Sequence, residues 1–193
     1  MHTRRRSGFT LVETMISLVL LAIVMGAMTK VTLQTQRGYV RQREVVAAED
    51  ALRAAEIMLV SALRTAGANP QKITGADAPA LYPDPLSHGQ FDNLRVVADF
   101  NPADGDVDDL LEDVEAWIAS DTLYIRWMAG DPASAAAAPI SSMSFEYYDA
   151  DDNVLAAADI DDATRVKLTL SAPRHSRTGT HTTREQWVYL RNH

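Results

Sequence analysis

One carboxylate in an apolar segment is the residue of this sequence whose chemistry most needs an explanation. Glu13 lies near the start of an apolar run of twenty residues, 9–28. The other clearly polar residues of that run are Thr10, Thr14 and Ser17. An ionised acid near the middle of a membrane helix costs about 2.5 to 3.5 kcal/mol, and less near the interface. A carboxylate kept in such a segment predicts a function, and that function requires a cationic partner.

A second group of oxygen donors lies in the acidic stretch 99–109, DFNPADGDVDD. The candidate ligands for a hard cation such as Ca²⁺ are Asp99, Asn101, Asp104, Asp106 and Asp108. The EF-hand pattern needs alternating oxygen donors followed by a glycine, and here that glycine comes one residue late. A solvated acidic turn is therefore favoured over a calcium site.

Basic side chains gather between residues 172 and 185 of an otherwise acidic chain, and they are Arg174, His175, Arg177, His181 and Arg184. Such a patch can contact DNA phosphates. No aromatic residue interleaves it, so a polar hairpin loop is favoured. The formal net charge of −8 also argues against a general nucleic-acid binder, and DNA is not expected as a partner.

Motifs of catalysis and of cofactor binding are missing from the sequence. It contains no G-x-S-x-G, no H-E-x-x-H and no G-x-x-x-x-G-K-[ST]. It contains no cysteine either, which excludes disulfides and thiolate metal sites. The expectation is a protein that is not an enzyme and has no cofactor, apart from the weak calcium candidate.

A long N-terminal helix must position Glu13. As a helix, the run 9–28 spans about 30 Å, which is roughly the hydrocarbon core of a bilayer. Arg4, Arg5 and Arg6 precede it and predict a cytoplasmic N-terminus. A cleaved secretory signal is disfavoured because its apolar core is usually shorter. An uncleaved signal anchor fits everything except Glu13.

The helical pattern continues beyond the apolar run, through residues 30–66. One apolar stripe at helical spacing consists of Ala48, Leu52, Ala55, Leu59 and Ala62. The sequence GANP at 67–70 is a stop signal. A single helix over 9–66 is predicted, with a break near Gly38 as the alternative.

The remainder, 67–193, predicts a β-rich head. Alternation of apolar and polar residues predicts strands at 94–99, 122–128, 142–149, 154–157, 165–170 and 186–190. Residues 151–153 predict a turn, and 71–90 predicts a loop. The alanine-rich stretch 132–139 predicts a surface connection.

Residues 107–118 suit a helix or a strand. The strand is favoured because a turn at 120–121 would lead directly into a well-patterned partner. The whole order, one long helix followed by antiparallel strands, predicts an α+β fold in which the helix packs on a C-terminal antiparallel sheet.

The stretch GFTLVE, residues 8–13, follows a short basic leader and opens an unbroken apolar run. It resembles the class III signal of type IV prepilins and type II secretion pseudopilins. The resemblance implies cleavage between Gly8 and Phe9 by a prepilin peptidase, with methylation of the new Phe9 amine. It also implies that Glu13 pairs with the Phe amine of a neighbouring subunit during filament assembly.

Two further stretches, SFEYYDADDNVL and REQWVYLRN, resemble the larger minor pilins of the PilW and GspJ kind. Many major pilins carry a proline near the end of the apolar run, whereas the first proline here is Pro70. The resemblance thus implies a minor pilin of a type IV pilus. Alternatives are a J-type minor pseudopilin of a type II secretion system and a membrane-anchored periplasmic binding module that does not polymerise.

The pilin resemblance implies four segments. They are a cleaved leader, 1–8, a transmembrane and filament-core helix, 9–29, an amphipathic helix, 30–66, and a globular head, 67–193. The implied location is the inner membrane, with one span, a cytoplasmic N-terminus and a periplasmic head, and afterwards the filament. The implied partners are other pilins or pseudopilins, the prepilin peptidase and methyltransferase, the inner-membrane assembly platform and the lipid bilayer.

Overall fold

The computed structural model describes residues 10–70, 81–82, 93–99, 104–107, 109–128, 130–175 and 179–190. One long helix, α1 (Leu11–Thr65), precedes all the described strands. The strands are β1 (Leu81–Tyr82), β2 (Leu94–Val97), β3 (Asp113–Ala119), β4 (Thr122–Arg126), β5 (Ser134–Ala137), β6 (Ser142–Tyr148), β7 (Arg165–His175) and β8 (Thr180–Tyr189). A short 3₁₀ helix, Ala157–Asp162, lies between β6 and β7. The predicted α+β class is confirmed.

Helix α1 is continuous through Gly38, so the alternative of a break there is wrong. A lone glycine costs only about 1 kcal/mol relative to alanine in a helix, and no proline interrupts α1. The helix ends where the sequence predicts. Gly67 has a φ of 71°, a left-handed conformation that stops a helix, and its N–H donates to the carbonyl of Val97 at 3.3 Å.

The chain divides into two compact units, Met1–Arg43 and Glu44–His193. In the first unit, every described residue from 10 to 43 is exposed. In the second unit, one stripe of α1 is buried against the inward side chains of the strands. Its buried residues are Ala48, Ala51, Leu52, Ala55, Leu59, Ala62 and Leu63. This confirms the predicted apolar stripe, and its alanines allow the strands to approach the helix closely.

The described strands form two antiparallel sheets instead of a single one. The first has the order β1-β2-β3-β4-β5, and the second has the order β6-β7-β8. The chain passes from one sheet to the other across the four residues 138–141. Ile140 donates its N–H to Asp121 at the β3–β4 turn, and Ser141 donates its N–H to Ser171 in β7. Because both contacts are distant in sequence, strand patterns do not reveal this division.

The hairpin favoured for residues 107–118 is confirmed where strand β3 pairs with β4. Ala119 lies opposite Thr122, and the two turn residues, Ser120 and Asp121, both have positive φ. Positive φ at both central positions matches the right-handed twist of antiparallel strands. The helical alternative is therefore wrong for the segment that β3 occupies.

Two predicted loops contain strands. The alanine-rich stretch 132–139 was expected as a surface connection, but it contains β5, which pairs with β4. Alanine has a weak strand preference, and the hydrogen bonds offered by the edge of β4 override it. The predicted loop at 71–90 contains β1, and its other residues lie outside the described part.

Two further predictions near the C-terminus are corrected. Instead of the strand expected at 154–157, the structure has a single bridge between Tyr148 and Val154. The reason is a tight turn in which the Asp149 carboxylate accepts the N–H groups of Asp151 and Asn153. The last strand is longer than predicted, since β8 already begins at Thr180. Polar residues that suggested a loop at 172–185 instead occupy the β7–β8 ladder.

Candidate assembly site at the N-terminal helix

The start of α1 is capped by a side chain. The Glu13 N–H donates to Thr10 Oγ1 at 3.3 Å, and the Thr14 N–H donates to the Thr10 carbonyl at 3.2 Å. Thr10 and Glu13 have the T-x-x-E spacing of a capping box, of which the half made by the Thr10 side chain is formed. Glu13 also lies in the first turn, where a negative charge interacts favourably with the helix dipole. The cap was not predicted, although the spacing was readable from the sequence.

The hydroxyl side chains of the apolar segment are satisfied by their own helix. Thr14 Oγ1 donates to the Leu11 carbonyl at 2.8 Å, and Ser17 Oγ donates to the Glu13 carbonyl at 2.8 Å. Thr29 Oγ1 donates likewise to the Met25 carbonyl at 2.8 Å. A hydroxyl bonded in this way can enter lipid or a helix bundle without leaving a donor unsatisfied.

The carboxylate of Glu13 differs from these hydroxyls. It is exposed, and within the described ranges it has neither a hydrogen-bond nor an ion-pair partner. In water this has no cost, but in an apolar environment an unpaired carboxylate is strongly unfavourable. The candidate partner group at Phe9, together with Gly8, Arg4, Arg5 and Arg6, lies outside the described residues.

The apolar surface around Glu13 is large. By length and composition, α1 is the one described helix that could cross a membrane. Its exposed large apolar side chains between Leu11 and Met28 are Leu11, Val12, Met15, Ile16, Leu18, Val19, Leu20, Leu21, Ile23, Val24, Met25 and Met28. A soluble monomer rarely exposes a patch of this kind, so lipid or other helices must cover it.

The calcium candidates are brought together only in part. Carboxylate oxygens of Asp104, Asp106 and Asp109 lie within 4.8 Å of one another. The cluster contains Asp109, which was not among the predicted ligands. Two predicted ligands, Asp108 and Asn101, lie outside the described residues. Asp99 is fully buried and does not belong to this cluster.

The carboxyl group of Asp109 experiences the crowding of this cluster directly. Desolvation raises its pKa above the ordinary value, and the nearby charges of Asp104, Glu112 and Asp106 raise it further. Carboxylates that repel one another on an exposed turn are common without a bound ion, so calcium stays a prediction.

The described members of the basic patch do not come together. Arg184 Nε lies 3.1 Å from Glu56 Oε2, so this side chain forms an ion pair with α1. His181 is on the opposite face of β8, where its Nδ1 lies 3.2 Å from Ser141 Oγ. Arg174 is exposed at the end of β7, whereas Arg177 and the side chain of His175 lie outside the described part.

Comparison with known families identifies the N-terminal segment. A family model described as the prokaryotic N-terminal methylation motif matches residues 3–29. Among curated proteins no match is found. The matched residues include the three arginines at 4–6, Gly8, Phe9 and Glu13. The motif implies processing by a prepilin peptidase and assembly with other pilins, and its family is structural rather than catalytic. The chain therefore carries the N-terminal methylation signal of type IV pilins and pseudopilins, at the start of a helix that is long and apolar enough to cross a membrane.

Proposed function

We propose that this chain is a minor pilin-like structural subunit of a type IV pilus, assembled through α1 after leader cleavage and N-methylation. The observation that carries the proposal is the carboxylate of Glu13. It lies on an exposed apolar helix whose hydroxyl groups are already satisfied, and it has no partner in the described chain. A subunit that buries this helix must supply the missing cation from elsewhere.

Cleavage after Gly8 would create that cation. The new amine on Phe9 stands four residues before Glu13, about one helical turn away. Methylation keeps the amine basic and therefore positively charged. In a bundle of staggered helices, the amine of one subunit can face the carboxylate of the next. At a separation of about 4 Å and an effective dielectric of about 20, such a pair attracts by about 4 kcal/mol.

The charge pair becomes important when the apolar half of α1 moves from the lipid bilayer into the filament. A helix that leaves the bilayer for a helical bundle gains no bulk hydrophobic energy, because lipid tails are as apolar as its new neighbours. Close packing and specific polar pairs therefore decide which helices associate. In our proposal, Glu13 selects the register in which subunits add, while the apolar side chains supply contact area.

A minor subunit is proposed over the main filament protein for two reasons. The chain contains no proline before Pro70, and the stretches that resemble PilW and GspJ overlap strands β6 and β8. A J-type pseudopilin of a type II secretion system uses the same processing and the same charge pair.

We place the head in the periplasm and the leader in the cytoplasm, since Arg4, Arg5 and Arg6 precede the apolar run.

The processing step can be tested by mass spectrometry of the N-terminal peptide in cells with and without the prepilin peptidase. The expected peptide begins at N-methylated Phe9 and requires the peptidase. A chain that still begins at Met1 in cells with an active peptidase would refute the proposal and favour an anchored module that does not polymerise. Deleting either the pilus or the secretion assembly platform then tells the pilin from the pseudopilin.

A further inference from the structure

The second sheet ends in a long edge strand. Its order is β6-β7-β8, and β8 runs for ten residues from Thr180 to Tyr189. In the described part of the chain, no strand pairs with the side of β8 that faces away from β7. Long edges of this kind attract other strands unless charges, prolines or bulges protect them.

The backbone groups that point outward can be identified from the register. The Leu190 N–H donates to the Thr164 carbonyl at 3.0 Å, and Val188 and Gln186 lie opposite Val166 and Leu168 in the same register. Hydrogen-bonding direction alternates along an antiparallel strand. Even-numbered residues of β8 therefore bond to β7.

The odd-numbered residues of β8, among them Thr183, Glu185 and Trp187, must then direct their N–H and C=O groups away from β7. A second contact is consistent with this assignment, because Gln186 Nε2 donates to the Trp187 carbonyl at 3.0 Å.

An aromatic patch adjoins this edge on the outer face of the sheet. We define the aromatic patch as Tyr148, Arg165, Trp187 and Tyr189. The rings of Tyr148 and Trp187 lie with their centroids 4.9 Å apart and their planes tilted by 56°, and the Arg165 guanidinium lies 5.6 Å from the centre of the Trp187 ring. Trp187 is 44% exposed and Tyr189 67%. Exposed Trp, Tyr and Arg side chains of this kind dominate the energetics of protein interfaces.

The charges near the aromatic patch already have partners within the chain. Arg165 pairs with Asp152, and Lys167 lies 3.7 Å from Glu146 and 3.3 Å from Glu185. The other charge on the strand, Arg184, is held by Glu56. Because these charges are paired within the chain, they do not protect the edge against another strand. They also leave no excess positive charge near the patch that would favour a polyanion such as DNA or an anionic lipid surface.

We propose that the free edge of β8, together with the aromatic patch, binds an extended segment of a neighbouring pilin-like subunit by strand addition. The row of outward backbone groups matches an extended peptide, which can pair with them along the length of the strand as a small ligand or a lipid cannot. The aromatic side chains of Trp187 and Tyr189 select apolar, β-branched or aromatic residues opposite them. The partner is named as a filament subunit because of the proposed function, on which this inference rests.

Site-specific photocrosslinking in the native cell tests the inference. Tyr189 is replaced by the photocrosslinker p-benzoylphenylalanine, and the same replacement at exposed Asp131, remote from β8 in sequence, is the control. The expected product at position 189 is a crosslink to a second protein that carries a methylated pilin N-terminus. Crosslinks only to lipid or to proteins without that N-terminus would overturn the inference.

A pair of variants at one position then isolates the backbone contact. Glu185→Pro removes an outward N–H without touching the ladder to β7, whereas Glu185→Ala removes the same carboxylate and keeps the N–H. The crosslink at position 189 should fall about tenfold in Glu185→Pro, or about 1.4 kcal/mol, and persist in Glu185→Ala. An unchanged crosslink in a Glu185→Pro protein of normal abundance contradicts strand addition.

If Glu185→Pro does not accumulate, Trp187→Asp is the deciding variant, because it introduces a charge into the aromatic patch beside the edge without removing a backbone N–H. Loss of the crosslink in Trp187→Asp supports the inference, and an undiminished crosslink overturns it. The N-terminal peptide is measured in the same samples. A methylated Phe9 without any crosslink refutes the docking edge alone, whereas an unprocessed N-terminus refutes the proposed function.

Discussion

Replacing Glu13 by glutamine separates the charge of this side chain from the capping of the helix start. Glutamine leaves the bond from the backbone N–H of residue 13 to Thr10 Oγ1 in place and is itself suited to that position, but it removes the charge. Removing one partner of a buried ion pair costs about 3 to 5 kcal/mol. At about 1.4 kcal/mol per factor of ten, incorporation into filaments should fall at least about a hundredfold. Membrane insertion should not suffer, because a neutral side chain enters lipid more easily.

The matched control is Thr10→Ala, which removes the cap and keeps the charge. Loss of an N-cap costs about 1 kcal/mol, so its incorporation should fall by only about fivefold. The assay is quantitative immunoblotting of membranes and sheared filaments from the same cells, normalised to processed subunit. Wild-type levels of Glu13→Gln in sheared filaments would refute the charge-pair argument. Equal losses in both variants would show that incorporation follows the stability of the helix start and does not depend on a charge pair.

Three further predictions concern the head. Leu59→Ala, at a fully buried site on α1, should lower the free energy of unfolding by about 3 kcal/mol in a denaturant titration. The exposed control Ile57→Ala should change it by less than about 0.5 kcal/mol. Similar losses in the two variants would contradict the assigned helix face. Asp109→Asn should raise the Tm at pH 7, because the pKa of this carboxyl is raised in the fold and its ionised form is disfavoured there. That gain should vanish below the ordinary pKa of 3.8, where the group is protonated in both states, and a gain independent of pH would point to another cause. If the acidic cluster binds calcium, added Ca²⁺ raises the Tm of the wild type more than that of Asp109→Asn, and a wild-type Tm unaffected by calcium and chelator contradicts the site.

Local patterns in the sequence predicted the features that depend on neighbouring residues. The buried stripe around Leu52 and Leu59 follows from helical spacing, and the helix stop at Gly67 follows from a local signal. The β3–β4 hairpin was readable because its two strands are separated by only two turn residues. The methylation motif was readable because its residues are contiguous.

Features that depend on distant contacts were not predictable. Strand β5 exists because β4 offers it hydrogen bonds, and the alanines themselves do not indicate a strand. The division into two sheets, the ion pair of Arg184 with Glu56 and the contact of the Tyr148 ring with the Trp187 ring all depend on residues far apart in sequence. The cap formed by Thr10 was different, since its spacing was visible and only the charge of Glu13 was considered.

The account depends most on the claim that processed chains leave the membrane and join a filament through the Phe9 amine and Glu13. The most direct measurement is the mass of the N-terminal peptide of this chain recovered from sheared filaments. The account predicts a peptide that begins at N-methylated Phe9 and is found in the filament fraction of wild-type cells. A chain that is present in membranes but missing from that fraction, or found there with its leader intact, would contradict it.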